Sequence, residues 1–137
     1  MARDTTTGAV LENMVLPSLT KGGYIFNSQV NIGDRIGGGR HFADVVATKG
    51  DDTIIISLKW QQVSGTAEQK VPFEVISLIA SLKDGHANKA YLVLGGAGWK
   101  LRDFYTGNGL DKYINGIEAV NIVTLEEFIA VANAGSL

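Results

Sequence analysis

Cysteine is absent from the 137-residue chain. Thiol nucleophiles, cysteine-ligated zinc and structural disulfides are therefore excluded, and the composition fits a reducing compartment without requiring one. Histidine is scarce: His41 and His86 stand alone and are not spaced as zinc ligands. No run of about 18 apolar residues exists, which argues against a spanning helix. The segment Met1–Thr7 carries no apolar stretch of the secretory type. The expectation is a soluble, cytoplasmic protein without a membrane partner. An excess of one charge is also missing, with 12 Lys and Arg against 14 Asp and Glu. All 12 bases lie in residues 1–113 against 11 acids, a net charge of +1 there. The last 24 residues hold Glu118, Glu126 and Glu127 and no base. Any face that binds a polyanion must be local.

What is present is an ordinary globular balance, 45% hydrophobic and 19% charged, enough for one core in one domain over residues 1–137. Val10, Leu11, Met14, Val15 and Leu19 recur at helical spacing and predict a helix over 7–20, with a kink or early end at Pro17. Strands are predicted at 24–32, 41–47, 53–60, 91–94 and 119–123. A helix is predicted over 71–83, with Pro72 in its first turn. The stretch 99–116 reads as irregular with one short helix. A last helix opens at Thr124, where Thr124-Leu125-Glu126-Glu127 has the capping-box form. Three strands in a row followed by alternating helices and strands predict an α/β fold, a mixed central sheet flanked by helices in the order α-β-β-β-α-β.

Familiar cofactor motifs are missing. Gly37-Gly38-Gly39 is followed by a strand and no Gly-Lys-Ser/Thr, so it is no P-loop. Gly95-Gly96-Ala97-Gly98 lacks the spacing of a dinucleotide fingerprint, and no Gly-x-Ser-x-Gly elbow occurs. The unusual residues are charges placed in apolar segments. Asp44 interrupts Phe42-Ala43-Asp44-Val45-Val46, Lys59 closes Ile54-Ile55-Ile56-Ser57-Leu58-Lys59, and Glu74 lies among Val71, Val75 and Leu78. Burying an unpaired charge costs several kcal/mol, so these groups must be paired, bound to an ion or placed at an open edge. A structural ion-pair network accounts for any one of them. Three at the ends of successive elements favour a site, and carboxylates beside a lysine suit Mg²⁺-dependent phosphodiester hydrolysis.

The run Gly38-Gly39-Arg40-His41-Phe42-Ala43-Asp44-Val45-Val46 with Ile55-Ile56-Ser57-Leu58-Lys59-Trp60-Gln61 resembles the PD-(D/E)XK nuclease superfamily, the restriction-endonuclease-like fold. Ala43 stands where the family often has proline. Ser57 occupies the position of its second acid, as in members that take this carboxylate from the following helix. The resemblance implies a metal-dependent DNA endonuclease of junction-resolving, homing or phage type, with restriction-type cutting next. It implies Asp44 as central metal ligand, Lys59 as catalytic lysine and Glu74 as the migrated acid, with Glu68 as competitor. The Leu58 carbonyl and Glu12 complete the implied metal set, and Gln61 is a polar residue that arranges the site. Mg²⁺ is the implied cofactor, with Mn²⁺ able to substitute. Arg35, Arg40 and His41 around the glycine-rich turn, and Lys70, are the expected DNA contacts. A homodimer or higher homo-oligomer is the expected assembly, since cutting two strands takes two sites. The rival reading, motivated by Ser57, is a catalytically silent nucleic-acid-binding or assembly protein. Trp99, Lys100, Arg102 and Tyr105 form a second aromatic and basic cluster, read as core plus solvated charge.

Overall fold

The computed structural model describes residues 6–137. Five strands build one mixed sheet in the order β1-β2-β3-β4-β5. β1 (Ile25–Asp34), β2 (Arg40–Lys49) and β3 (Asp52–Trp60) form an antiparallel meander, and β4 (Lys89–Gly95) and β5 (Val120–Thr124) add in parallel. Parallel neighbours require long crossovers. These are α3 (Ala67–Lys83) and the 96–119 segment, which contains α4 (Arg102–Thr106) and the 3-10 turn Ile117–Ala119. The predicted α/β sheet is the one found. Ile54–Leu58 of β3 are all buried, as a strand apolar at every position but Ser57 and covered on both faces should be.

One face is covered by α1 (Thr6–Val10), a π-helical turn (Leu11–Val15), α2 (Leu16–Lys21) and α5 (Leu125–Asn133). Val15, Leu19, Val45, Ile54, Ile56 and Phe128 pack there. The opposite face is covered by α3, whose Val71, Val75 and Leu78 pack on Ile32, Ala43, Ile55 and Leu92. The predicted cap of α5 is present: the Thr124 hydroxyl accepts from the Glu127 N–H at 3.2 Å. No helix among the described residues is long and apolar enough to cross a membrane.

Two helices depart from expectation. The first stays helical to Lys21, and the irregularity falls before Pro17 rather than at it. The Leu16 N–H bonds to the Leu11 carbonyl, five residues back. Pro17 offers no N–H to Asn13, and its ring crowds that carbonyl; the wider π-turn relieves the crowding. The second departure matters for the site. α3 begins at Ala67, a turn earlier than predicted, so Pro72 lies inside the helix and not in its first turn. The extra turn is held by distant groups. Gln61 Oε1 accepts from the Ala67 N–H at 3.1 Å. Pro72 leaves the Glu68 carbonyl without its helical donor, and the Tyr105 hydroxyl donates to it at 2.7 Å. Tyr105→Phe strands that buried carbonyl, and urea unfolding is expected to show a loss of about 1–2 kcal/mol. An unchanged midpoint would mean the extra turn does not depend on this bond.

Candidate active site

The site begins where β2 and β3 part. Their pairing runs from Lys49–Asp52 to Val45–Ile56 and stops there. Asp44 is the first residue of β2 beyond the last pair. Its Oδ2 accepts the Leu58 N–H at 2.8 Å, taking the place of a backbone acceptor. A strand residue presents its N–H and C=O to the same edge, so the Leu58 carbonyl faces the same gap. β2 also rotates here. Val45 and Ala47 pack on the α2–α5 face, whereas Ala43 packs on the α3 face, although residues two apart in a regular strand share a face. On the neighbouring strand Gln29, opposite Asp44, has φ +53° and is the one residue missing from the pairing between Ile25–Thr48 and Asn31–Phe42.

The rotation carries His41, with Ala43, to the α3 side, where Ser57 and Lys59 follow Ile55 by the strand alternation. All three meet Glu74. The Ser57 hydroxyl donates to Glu74 Oε2 at 2.7 Å, and Lys59 Nζ stands 3.6 Å from the same oxygen. Arg35 Nη1 donates to Oε1 at 3.3 Å. His41 Nε2 lies 3.1 Å from Oε1, close to the carboxylate but short of an aligned hydrogen bond, and Nδ1 has no partner. Glu74 is 5% exposed. Burial pushes its pKa up, but His41, the Lys59 ammonium and the Ser57 hydroxyl outweigh that and hold it at about 2. Asp44 differs. Burial raises its pKa above the usual carboxylate range, the Leu58 N–H and Lys59 pull it back in part, and the nearby Glu74 charge adds to the rise.

A cavity of about 270 Å³ opens beside this cluster, lined by Arg35, Lys59, Lys70, Phe73 and Glu74. Three bases against one carboxylate make it a place for an anion. A larger cavity of about 420 Å³ holds none of these residues. Its charged lining is Asp111, Glu118 and Glu127, which would repel a phosphate backbone.

The other expected residues fall in several places. Glu68 is engaged elsewhere: its Oε1 accepts the N–H groups of Lys100 and Leu101, so Glu74 and not Glu68 is the acid brought to Ser57 and Lys59. The Gln61 amide bridges the Gly98 carbonyl, at 2.8 Å, and the Ala67 N–H; it braces the loop after β4 and the start of α3. Glu12 is exposed on the π-turn, and among the described residues no bond joins it to Asp44. Arg40 and Lys70 are exposed, and the early start of α3 yields no Lys70–Glu74 ion pair among the described residues. His41, expected to touch DNA, has no exposed surface; the rotation at Asp44 buries it against Glu74. Its partnership with Glu74 was missed, because the regular alternation of β2 places His41 on the face of Val45 and Ala47. In the second cluster the Trp99 indole donates to the Gly95 carbonyl and Tyr105 to Glu68, so both serve packing.

The domain profile of this nuclease superfamily matches residues 3–136. The chain belongs to the PD-(D/E)XK nuclease superfamily. Among curated proteins none matches the chain. A solved structure described as a protein of unknown function is similar to it with a TM-score of 0.55 and 12% identity, covering 80% of this chain and 54% of that one. This chain thus spans about half the length of that structure, and at such identity the likeness concerns the fold alone. PD-(D/E)XK nucleases typically use divalent metals. The donors here suit a hard cation: Asp44, whose burial is incompletely compensated, the Leu58 carbonyl in the strand gap, and Glu74. They include two acids, and no group of three His, Asp or Glu fit to hold a metal occurs among the described residues.

Proposed function

We propose that this protein is a metal-dependent DNA endonuclease of junction-resolving, homing or phage type, with restriction-type cutting as the next choice. The observation that carries the reading is the convergence of Asp44, Glu74 and Lys59 where β2 and β3 separate, beside a cavity lined with bases. Asp44, the Leu58 carbonyl and Glu74 would hold Mg²⁺, with Mn²⁺ able to replace it. A bound divalent cation supplies charge neutralisation at the phosphate and acidifies water.

The chain's own residues do the rest. Lys59, 3.6 Å from Glu74 and 27% exposed, reaches the cavity and stabilises charge that develops on the phosphate. Ser57 replaces an acid but donates to Glu74, and so fixes the carboxylate that replaces it. His41 buttresses Glu74 from the buried side. Arg35, Arg40 and Lys70 bind the backbone, the arginines with two-pronged geometry. Gln61 braces the start of α3, the helix that carries Glu74. The Gly37-Gly38-Gly39 turn, with φ of +85°, +103° and +86° and open space around each, lets the hairpin adjust to a duplex. A homodimer places two such sites on two strands.

The test is a cleavage panel of plasmid, linear duplex, single strands and a four-way junction with Mg²⁺ or Mn²⁺, an EDTA control and Lys59→Ala. Metal-dependent cutting that Lys59→Ala lowers by roughly 10²-fold or more is expected, and the preferred substrate separates junction resolution from site-specific cutting. Ser57 in place of an acid favours a second reading, a silent DNA-binding or assembly protein. DNA binding without cutting, the same in Lys59→Ala, would support it.

A further inference from the structure

Glu74 as it stands has no free oxygen. Oε2 takes the Ser57 hydroxyl and Lys59, while Oε1 faces both His41 and Arg35. A carboxylate so occupied is a poor cation ligand until one partner leaves. The partners differ in how readily they leave. His41 is fully buried and Ser57 is 3% exposed. Arg35 is 39% exposed, lines the open cavity, and follows the last residue of β1 directly, at the start of the hairpin turn. That turn carries three successive glycines at positive φ with nothing within 4 Å of a Cβ at any of them. Lys59 also lines the cavity but is less exposed, at 27%, and is fixed in β3. Among the described contacts to Glu74, Arg35 is therefore the one that combines the greatest exposure with an adjustable segment and with a planar fork that binds a phosphate more strongly than a single carboxylate oxygen.

We infer that Arg35 is a latch shared between Glu74 and the substrate: a DNA phosphate draws Arg35 off Oε1 and thereby releases Glu74 to the cation. This rests on the reading of Glu74 as a cation ligand and adds a coupling to it. DNA and metal each strengthen the other's binding, because each is favoured by the same released state. Without DNA the latch holds the site in a form that binds metal weakly. No bond is made or broken in the exchange; an ion pair is traded for another.

The experiment needs no turnover. Mn²⁺ binding to the wild-type protein, Arg35→Ala, Arg35→Lys and Asp44→Ala is measured without DNA from the spectroscopic signal of free Mn²⁺. Duplex binding is measured separately in EDTA, and each variant's melting temperature is recorded. Arg35→Ala is expected to bind Mn²⁺ roughly fivefold tighter than wild type while binding the duplex more weakly; Arg35→Lys, which keeps the charge but not the fork, falls between. Wild type that binds Mn²⁺ through Asp44, with Arg35→Ala no tighter, would overturn the latch and leave the nuclease reading standing. No Mn²⁺ binding by any variant, all of them folded, would overturn both.

Discussion

Asp44→Asn is expected to abolish metal-dependent cleavage, by roughly 10²–10³-fold or more, in a protein at least as stable as wild type. The two effects have one cause. Asp44 is half-buried where β2 leaves β3, and burial raises its pKa above the value of 3.8 for a free side chain. An acid that holds its proton more tightly in the folded chain opposes folding wherever it is ionised, so at neutral pH this carboxylate costs stability. Asparagine removes the charge, and its Oδ1 still accepts from the Leu58 N–H that the aspartate now holds at 2.8 Å. Urea midpoints at pH 7 are expected to be equal or higher in the variant. A clear loss of stability would mean that Asp44 is held as a structural ion and not as a site poised for a cation.

Glu74→Gln is expected to fail in both respects, losing cleavage and about 3 kcal/mol of stability at neutral pH. Glu74 is 5% exposed and is shifted from 4.5 to about 2, its burial outweighed by His41, Lys59 and Ser57. Here the sign is the reverse of Asp44. A carboxyl whose folded pKa lies below its unfolded value stabilises the fold fully above pH 4.5. It loses that contribution as pH falls toward 2. The stability gap between wild type and Glu74→Gln is therefore expected to be widest near neutrality and to close between pH 4.5 and 2. Denaturant unfolding at a series of pH values checks this. A gap that does not change over that interval would contradict the assignment of Glu74 as the ionised centre of the cluster.

The contrast between these acids explains what could be read from the chain and what could not. Asp44 and Lys59 stood out because a charge inside an apolar strand needs a reason, and their order along the chain matched that of a known family. The sheet followed from strand patterning, and the α5 cap followed from Thr124. His41 could not be placed, because its burial depends on the rotation of β2 at Asp44, a bend with no signature in side-chain alternation. The start of α3 was missed for a related reason. Residues 67–70 look like polar loop, and the turn they form is held by Gln61, by the Lys100 and Leu101 N–H groups on Glu68, and by Tyr105. Those contacts come from 6 to 37 residues away in sequence, beyond the reach of local propensity. The same contacts engage Glu68 with backbone N–H groups, while Glu74 is the acid that meets Lys59.

The central claim is that Asp44, Glu74 and Lys59 form a nuclease centre and not only an ion-pair network inside a nuclease-like fold. The most direct measurement is the time course of supercoiled plasmid with Mg²⁺ for wild type and Asp44→Asn at equal folded concentration. The account predicts nicking or linearisation by wild type, stopped by EDTA, and intact plasmid with the stable Asp44→Asn protein. Plasmid left intact by folded wild type, or cut equally by both proteins, would contradict it.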